Sequence, residues 1–315
     1  FGGDKDYADT MFPVLTKSIG ENVVYEIALL SSKIGMQVPG LHSLFVGATI
    51  SLDGGNENQM LEVQSVDDRF KMVKLSYSGR NISATLDAFV RPPPTDSLAS
   101  DILKPAIKEI GDLSHVNALI IGGSRGLGAW TAKVIALAGG KVTLTYNSGK
   151  KDAEVIKADI QRSGGKCDVA QLIITESSEI EIPKGDFNHL YYFPTPKIFG
   201  KQQRGFDRSL YKEFFLFYAE KFELIAKKCI EIGVTCILYP STIAIDKPVE
   251  EPEEYIKAKI EGEKVCGRLS SLSDINVLKP RIYRVLTDQT TSVMPKNSLH
   301  PLEIVLPIVQ QMSLK

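Results

Sequence analysis

The chain has few of the residues that mark several whole classes of protein. Its 315 residues include four cysteines, four histidines and one tryptophan. Cys167, Cys229, Cys236 and Cys266 form no Cys-x-x-Cys pair, and each lies in or beside an apolar run. That excludes a disulfide-stapled scaffold and reads as small thiols buried in a reducing compartment. Charge of one sign is also missing: 37 basic side chains face 38 acidic ones, a net charge of −1. Nucleic acid is therefore not expected as the main partner, since phosphate binding calls for a basic excess. No apolar run approaches the ~18–20 residues of a membrane span, and no basic segment leads into an apolar stretch at the start. Internal repeats and low-complexity tracts are lacking too. With 43% hydrophobic and 24% charged residues, the expectation is an ordinary globular protein of the cytoplasm. The chain opens on Phe1-Gly2-Gly3 without methionine, which reads as a piece of a longer protein.

A single core rarely grows beyond ~250–300 residues, so this length favours two domains. The sharpest break is Arg91-Pro92-Pro93-Pro94, which neither a helix nor a central strand accepts. Residues 92–114 are read as a proline-rich link followed by a connector helix, with Ile102, Leu103, Ala106, Ile107 and Ile110 on its apolar side. Before the link, residues 22–35 set Val23, Ile27, Leu30 and Ile34 on one helical face, and strands are expected at 44–52, 59–66, 70–77 and 82–90. A buried helix wrapped by an antiparallel meander gives residues 1–91 an α+β fold. After the link, strands at 118–121, 141–146, 169–174, 189–193, 235–239 and 276–278 alternate with helices at 127–138, 151–163, 207–232 and 252–269. That alternation predicts an α/β doubly wound parallel sheet of Rossmann type over 115–315, with ligands at the carboxyl ends of the strands.

The first strand of this half runs into Gly122-Gly123-Ser124-Arg125-Gly126-Leu127-Gly128. Glycines at such a junction let backbone approach a pyrophosphate, and the helix start supplies free N–H groups and a positive dipole end. After the second strand comes Tyr146-Asn147-Ser148-Gly149-Lys150-Lys151. An acid there would hold an NAD ribose; here Asn147, Lys150 and nearby Arg125 suit a 2′-phosphate instead, so NADP (NADPH) is expected over NAD. The alternative is that the lysines simply solvate a helix start. Further on, Tyr255 and Lys259 stand at i and i+4 on a helix, one turn apart. Reducing a carbonyl by hydride calls for a proton donor at the developing alkoxide, and a phenol acidified by a neighbouring ammonium fits. Ser241, with Thr242 as an alternative hydroxyl, ends the strand before that helix.

The glycine turn, the 142–147 strand, the strand-end serine and the Tyr-x-x-x-Lys helix together resemble the short-chain dehydrogenase/reductase family, especially its 3-oxoacyl-carrier-protein reductases. That resemblance implies Tyr255 as general acid, Lys259 lowering its pKa and holding the nicotinamide ribose, and Ser241 orienting the carbonyl. Gly122, Ser124, Arg125, Gly126, Leu127, Gly128, Asn147, Lys150 and Pro280 would line the cofactor. The chain departs from the family in four places. Leu172-Ile173-Ile174 offers adenine no acid. Phe193-Pro194-Thr195-Pro196 replaces Asn-Ala-Gly. Phe214–Tyr218 has no relay asparagine, and Arg281 follows Pro280 where a glycine is usual.

The stretch from Gly3 to Asp9, the helix after it and 36–45 resemble a MaoC-like hot-dog domain of the enoyl-hydratase group, incomplete at its amino end. In that motif Asp4 matches the acid, while Asp9 stands where a histidine base belongs. The reading is an NADPH-dependent reductase of a 3-oxoacyl thioester, carried on a carrier protein or coenzyme A, in acyl-chain, polyketide or surface-lipid synthesis. Assembly as a homodimer or higher homo-oligomer is expected, and no metal. Two alternatives stand beside it: a catalytically impaired scaffold, and an enoyl-thioester hydratase working through Asp4.

Overall fold

The computed structural model describes residues 10–41, 43–90, 103, 107–177, 179–196, 205–247, 251–272, 274–283, 285 and 299–314. Asp4, Asp9, the proline-rich link and half of the connector helix lie outside them. The chain divides into two compact units, the break falling after residue 94.

In the first unit, α1 (Pro13–Ile19) and α2 (Glu21–Met36) precede β1 (Ser43–Ser51), β2 (Met60–Asp67), β3 (Met72–Ser78) and β4 (Ser83–Val90). The short α1 was not legible in the sequence, because it buries no residue of its own. The strands form one antiparallel sheet in the order β1-β4-β3-β2. A simple meander would have placed β1 beside β2; instead it pairs with β4 at the far edge. Val73, Leu75 and Tyr77 on β3 and Ala84, Leu86 and Ala88 on β4 alternate inward onto Leu30 and Ile34 of α2, as the two-residue period of a half-buried sheet requires.

A buried carboxylate ties this sheet to its helix. Glu26, 2% exposed, accepts from the Tyr77 hydroxyl at 2.8 Å and from the Asn81 backbone and side-chain nitrogens at 2.9 and 2.8 Å. Gly79 is obligatory here, since a Cβ would stand 1.7 Å from Glu26 Oε1. Glu26→Ala strands a buried hydroxyl and a part-buried N–H, so it is expected to cost the first unit about 3 kcal/mol. The one tryptophan, Trp130, lies in the second unit. Urea unfolding of this variant followed by far-ultraviolet circular dichroism should therefore show an earlier phase, while the Trp130 fluorescence transition stays in place.

The second unit alternates β5 (Asn117–Ile121), α3 (Gly126–Leu137), β6 (Lys141–Tyr146), α4 (Lys150–Arg162), β7 (Lys166–Gln171) and β8 (His189–Tyr192). A helix then runs as α5 (Arg208–Phe215), a π-helical turn (Leu216–Glu220) and α6 (Lys221–Glu231). It is followed by β9 (Cys236–Leu238), β10 (Ser241–Thr242), α7 (Glu253–Ser270), β11 (Asn276–Leu278), β12 (Arg281–Ile282) and α8 (Pro301–Ser313). Six strands make a parallel sheet in the order β11-β9-β8-β5-β6-β7. Strand order reverses between β5 and β8, and that switch point opens a crevice at the carboxyl ends. Alternate residues feed two cores: Ala118, Ile120, Val142 and Leu144 pack with α3, α4 and α8, whereas Leu119, Ile121, Leu190 and Ile237 pack with α5, α6 and α7. The sheet is covered on both faces, as its near-continuous apolar strands predict.

β7 begins three residues before the expected 169–174, because Lys166 to Gln171 register with the whole of β6. The long helix is not continuous α-helix; its π-turn is taken up below. All four cysteines are free and buried. Among the described residues no helix is long and apolar enough to cross a membrane.

At the other end of the sheet, His189 on β8 is 5% exposed and donates through Nε2 to the Met312 carbonyl of α8 at 3.3 Å. Burial holds its pKa below the usual 6.5. The unfolded chain then binds the proton more readily, so this site contributes full stability above about pH 6.5 and loses it as pH falls further. Urea midpoints followed by Trp130 fluorescence should drop between pH 7.5 and 5. In His189→Gln the drop should be shallower.

Candidate active site

The turn from β5 into α3 is built on close backbone packing. Gly122 has φ +76°, and a Cβ on it would lie 3.2 Å from the Phe193 carbonyl carbon and the Pro194 nitrogen after β8. A Cβ on Gly128 would lie 2.5 Å from the Gly122 oxygen. The Gly122 nitrogen donates to Thr145 Oγ1 at 3.2 Å and the Gly123 nitrogen to the Thr145 carbonyl at 2.9 Å, which pins the turn to β6. α3 starts without a side-chain cap and without an acid in its first turn. Its leading N–H groups are therefore open to an anion. A backbone-walled turn and an uncapped helix start fit the pyrophosphate of a dinucleotide.

Ser124 lies beside Gly149 across the turn, and Gly126 and Leu127 open α3. Arg125 is exposed, its Nε 3.5 Å from Asp152 Oδ2. Asp152, in the first turn of α4, is an acid that inspection of the strand end alone overlooked; it sits one helical turn beyond. An exposed pair at this distance contributes ~0–1 kcal/mol, so a phosphate can displace it. Asn147 and Lys150 are exposed at the same edge, with the Asn147 carbonyl accepting from Gln171 at 3.0 Å.

Across the switch point, the row on α7 meets the segment after β9. Tyr255 is partly exposed, its ring edge-on to Phe214 and Tyr218 at 5.8 and 5.5 Å, and the Thr242 side chain lies beside its hydroxyl. Burial pushes the phenol above the ordinary tyrosine range, against the influence of Thr242, which lowers it. Ser241 does not take that place. Its hydroxyl donates to Glu263 Oε1 at 2.6 Å, two turns along α7 from Tyr255. The hydroxyl facing the phenol is therefore that of Thr242.

Lys259 also departs from expectation. It is 7% exposed, and its Nζ donates to the Pro240 carbonyl at 2.7 Å while lying 4.0 Å above the Tyr218 ring and 5.9 Å from the Tyr255 ring centre. Burial draws its pKa down to about 7. Its nearest ring is that of Tyr218, with the Tyr255 ring farther off. Tyr218 in turn is 2% exposed and hydrogen-bonds Thr195, in the loop after β8.

The π-turn explains how Tyr218 arrives there. A π-turn leaves backbone carbonyls turned outward, and here the Tyr192 hydroxyl donates to the Phe217 carbonyl at 2.7 Å and the Tyr239 hydroxyl to the Tyr218 carbonyl at 3.0 Å. Gly262 on α7 allows this approach, since a Cβ would be 2.4 Å from the Tyr218 oxygen. Pro280 accepts from the Ser241 nitrogen at 2.9 Å. Arg281 grips Glu263 with two bonds of 2.8 and 2.7 Å and also pairs with Asp246. Arg281 first, then Ser241, hold the Glu263 carboxyl below its usual range against burial. Among the described residues no cluster is suited to a metal ion.

Strand order and the switch-point turn together define a Rossmann-type doubly wound α/β unit with the fold of the short-chain dehydrogenase/reductases. No family model matches the chain. It is similar to a short-chain dehydrogenase/reductase, FrzI, of a Cladobotryum species, at 39% identity over 59 residues, which are 19% of this chain and 23% of that protein. The match thus spans less than a quarter of that relative's length. Among solved structures, the landomycin C-6 ketoreductase LanV with bound NADP and rabelomycin is similar over 64% of this chain and 90% of that one, at 16% identity and a TM-score of 0.53. The alternative dihydrofolate reductase FolM of Brucella canis, complexed with NADP, covers 64% and 89%, at 16% identity and a TM-score of 0.54.

Proposed function

We propose that the second unit is an NADP-dependent short-chain reductase acting on a carbonyl. The observation that carries this reading is the backbone-walled Gly122–Gly128 turn that opens an uncapped helix at the switch point, with Tyr255 and Thr242 across from it. When bound, NADPH supplies the hydride that the carbonyl carbon accepts. Thr242 then orients the carbonyl oxygen, and Tyr255 gives that oxygen its proton. Phe214 and Tyr218 wall the phenol with aromatic rings and exclude water. The exposed Arg125, Lys150 and Lys151 favour a 2′-phosphate, and the NADP-bound ketoreductase of similar fold supports the same choice.

The substrate we infer is a 3-oxoacyl thioester on a carrier protein or coenzyme A. A hot-dog role for the first unit, as an acyl-binding and dimer-forming module, accords with its helix-and-antiparallel-sheet build. Titrating the protein with NADPH and with NADH, then following NADPH oxidation with 3-oxoacyl thioesters, tests the reading. Tighter binding of NADPH and substrate-dependent oxidation are expected; binding of neither nucleotide would defeat it.

One observation favours the rival, a unit that binds dinucleotide but turns over poorly: Lys259 is engaged by Pro240 and Tyr218 instead of the phenol. Tight NADPH binding without oxidation of any carbonyl substrate would select that reading.

A further inference from the structure

Tyr255, Lys259 and Glu263 stand at i, i+4 and i+8 on α7, one above another on a single face. Each engages one member of the three-residue segment after β9. Tyr255 meets the Thr242 side chain, Lys259 donates to the Pro240 carbonyl at 2.7 Å, and Glu263 accepts from the Ser241 hydroxyl at 2.6 Å. Glu263 is itself held by the two-pronged Arg281. Arg281 lies on β12, which pairs in parallel with β10 so that Ser241 registers with Arg281 and Thr242 with Ile282. Arg281 also pairs with Asp246, just beyond the 3-10 turn (Ile243–Ile245) that follows Thr242.

We propose that Glu263, braced by Arg281, is a positioning residue that selects Thr242 over Ser241 as the hydroxyl presented to Tyr255. Both hydroxyls lie against the same face of α7, Ser241 at Glu263 and Thr242 near Tyr255, two helical turns apart, so a shift of the segment along the helix would exchange them. Glu263 captures Ser241 and thereby fixes which one remains for the phenol. The set of serine, tyrosine and lysine that the family resemblance implies has no such third helical member. Arg281, which looks like a lost glycine in the sequence, gains a purpose here: it keeps the Glu263 carboxylate charged and aimed.

This inference rests on the reductase reading for its kinetic consequence, but not for its geometry. The test therefore has two readouts. With 13Cζ-labelled tyrosine, the Tyr255 resonance, assigned by its loss in Tyr255→Phe, reports whether the phenol keeps its Thr242 partner in protein without nucleotide. Thr242→Val gives the reference shift for a lost partner. Glu263→Ala should move the resonance in that same direction, and Ser241→Ala, which leaves the Arg281–Glu263 pair intact, should move it less. In turnover, Glu263→Ala should lower kcat about 10²-fold, the usual cost of a misplaced catalytic group, with KM for NADPH changed no more than about 3-fold. Glu263→Gln, which can still accept from Ser241, should recover part of the loss. If the Tyr255 resonance in both Glu263→Ala and Ser241→Ala coincides with that of the parent protein, the inference is overturned. If the parent protein itself oxidises no NADPH, the reductase reading fails alone, and the resonance still decides the clamp.

Discussion

Tyr255→Phe is expected to lower kcat by about 10³-fold while NADPH binds as before, because one hydroxyl is removed and the aromatic wall is kept. The ring remains edge-on to Phe214 and Tyr218, so packing and stability should change little. Burial raises the phenol's pKa beyond its ordinary range, so the proton-bearing form is fully populated at neutral pH. Its own ionisation should leave no step in the pH–rate profile below pH 10. Lys259 behaves differently. Its pKa of about 7 makes the ammonium fade as pH rises through neutrality, and a fall of kcat across that window would show that the charge contributes. Stopped-flow measurement of a single NADPH oxidation, with nucleotide binding measured separately by fluorescence, separates chemistry from affinity. Unchanged single-turnover rates in Tyr255→Phe would remove this residue from the reaction.

Gly128→Ala should act at the opposite end of the crevice and on binding. Alanine ordinarily favours a helix by ~1 kcal/mol over glycine, so propensity alone predicts a gain. The position forbids it: the added methyl would stand 2.5 Å from the Gly122 oxygen and 2.9 Å from the Gly123 Cα, both backbone atoms that no rotamer change can move. Either α3 retreats or the turn opens, and overpacking of this kind costs about 1–3 kcal/mol. Since the same turn is the proposed phosphate cradle, affinity for NADPH should fall at least ~10²-fold, as misplacing a precise binding geometry does. Calorimetric titration and thermal unfolding read the two effects separately. A variant as stable as its parent, with unaltered affinity, would show that the turn does not form the cradle.

The parallel sheet was legible because β5 and β6 are short, largely apolar and each followed by a helix with a 3.6-residue period, a combination that few other folds produce. The glycine turn was legible for a similarly local reason. What escaped notice depends on contacts between distant segments. Ser241 and Thr242 are equivalent as residue types, and only the partner each takes on α7 separates them. Lys259 has the spacing of an acidifying neighbour. Whether it points at the phenol depends on Tyr218, forty-one positions earlier by the numbering, and on the width of one helical turn. Glu263 carried a signal that was available: it continues the i, i+4 row from Tyr255 and Lys259 by one further turn.

The π-turn at Leu216–Glu220 has a bearing on how this helix can change over time. Such a turn is the footprint of one residue more than a regular helix would hold. Excising any single residue there would rewind the segment to ordinary pitch and swing everything on one side by roughly 100° relative to the other. The outward carbonyls that now receive the Tyr192 and Tyr239 hydroxyls would turn inward, leaving two deeply enclosed phenols without acceptors. The helix is thus far less tolerant of a one-residue deletion than of substitution, and variants arising there should preserve length even where they drift in side chain.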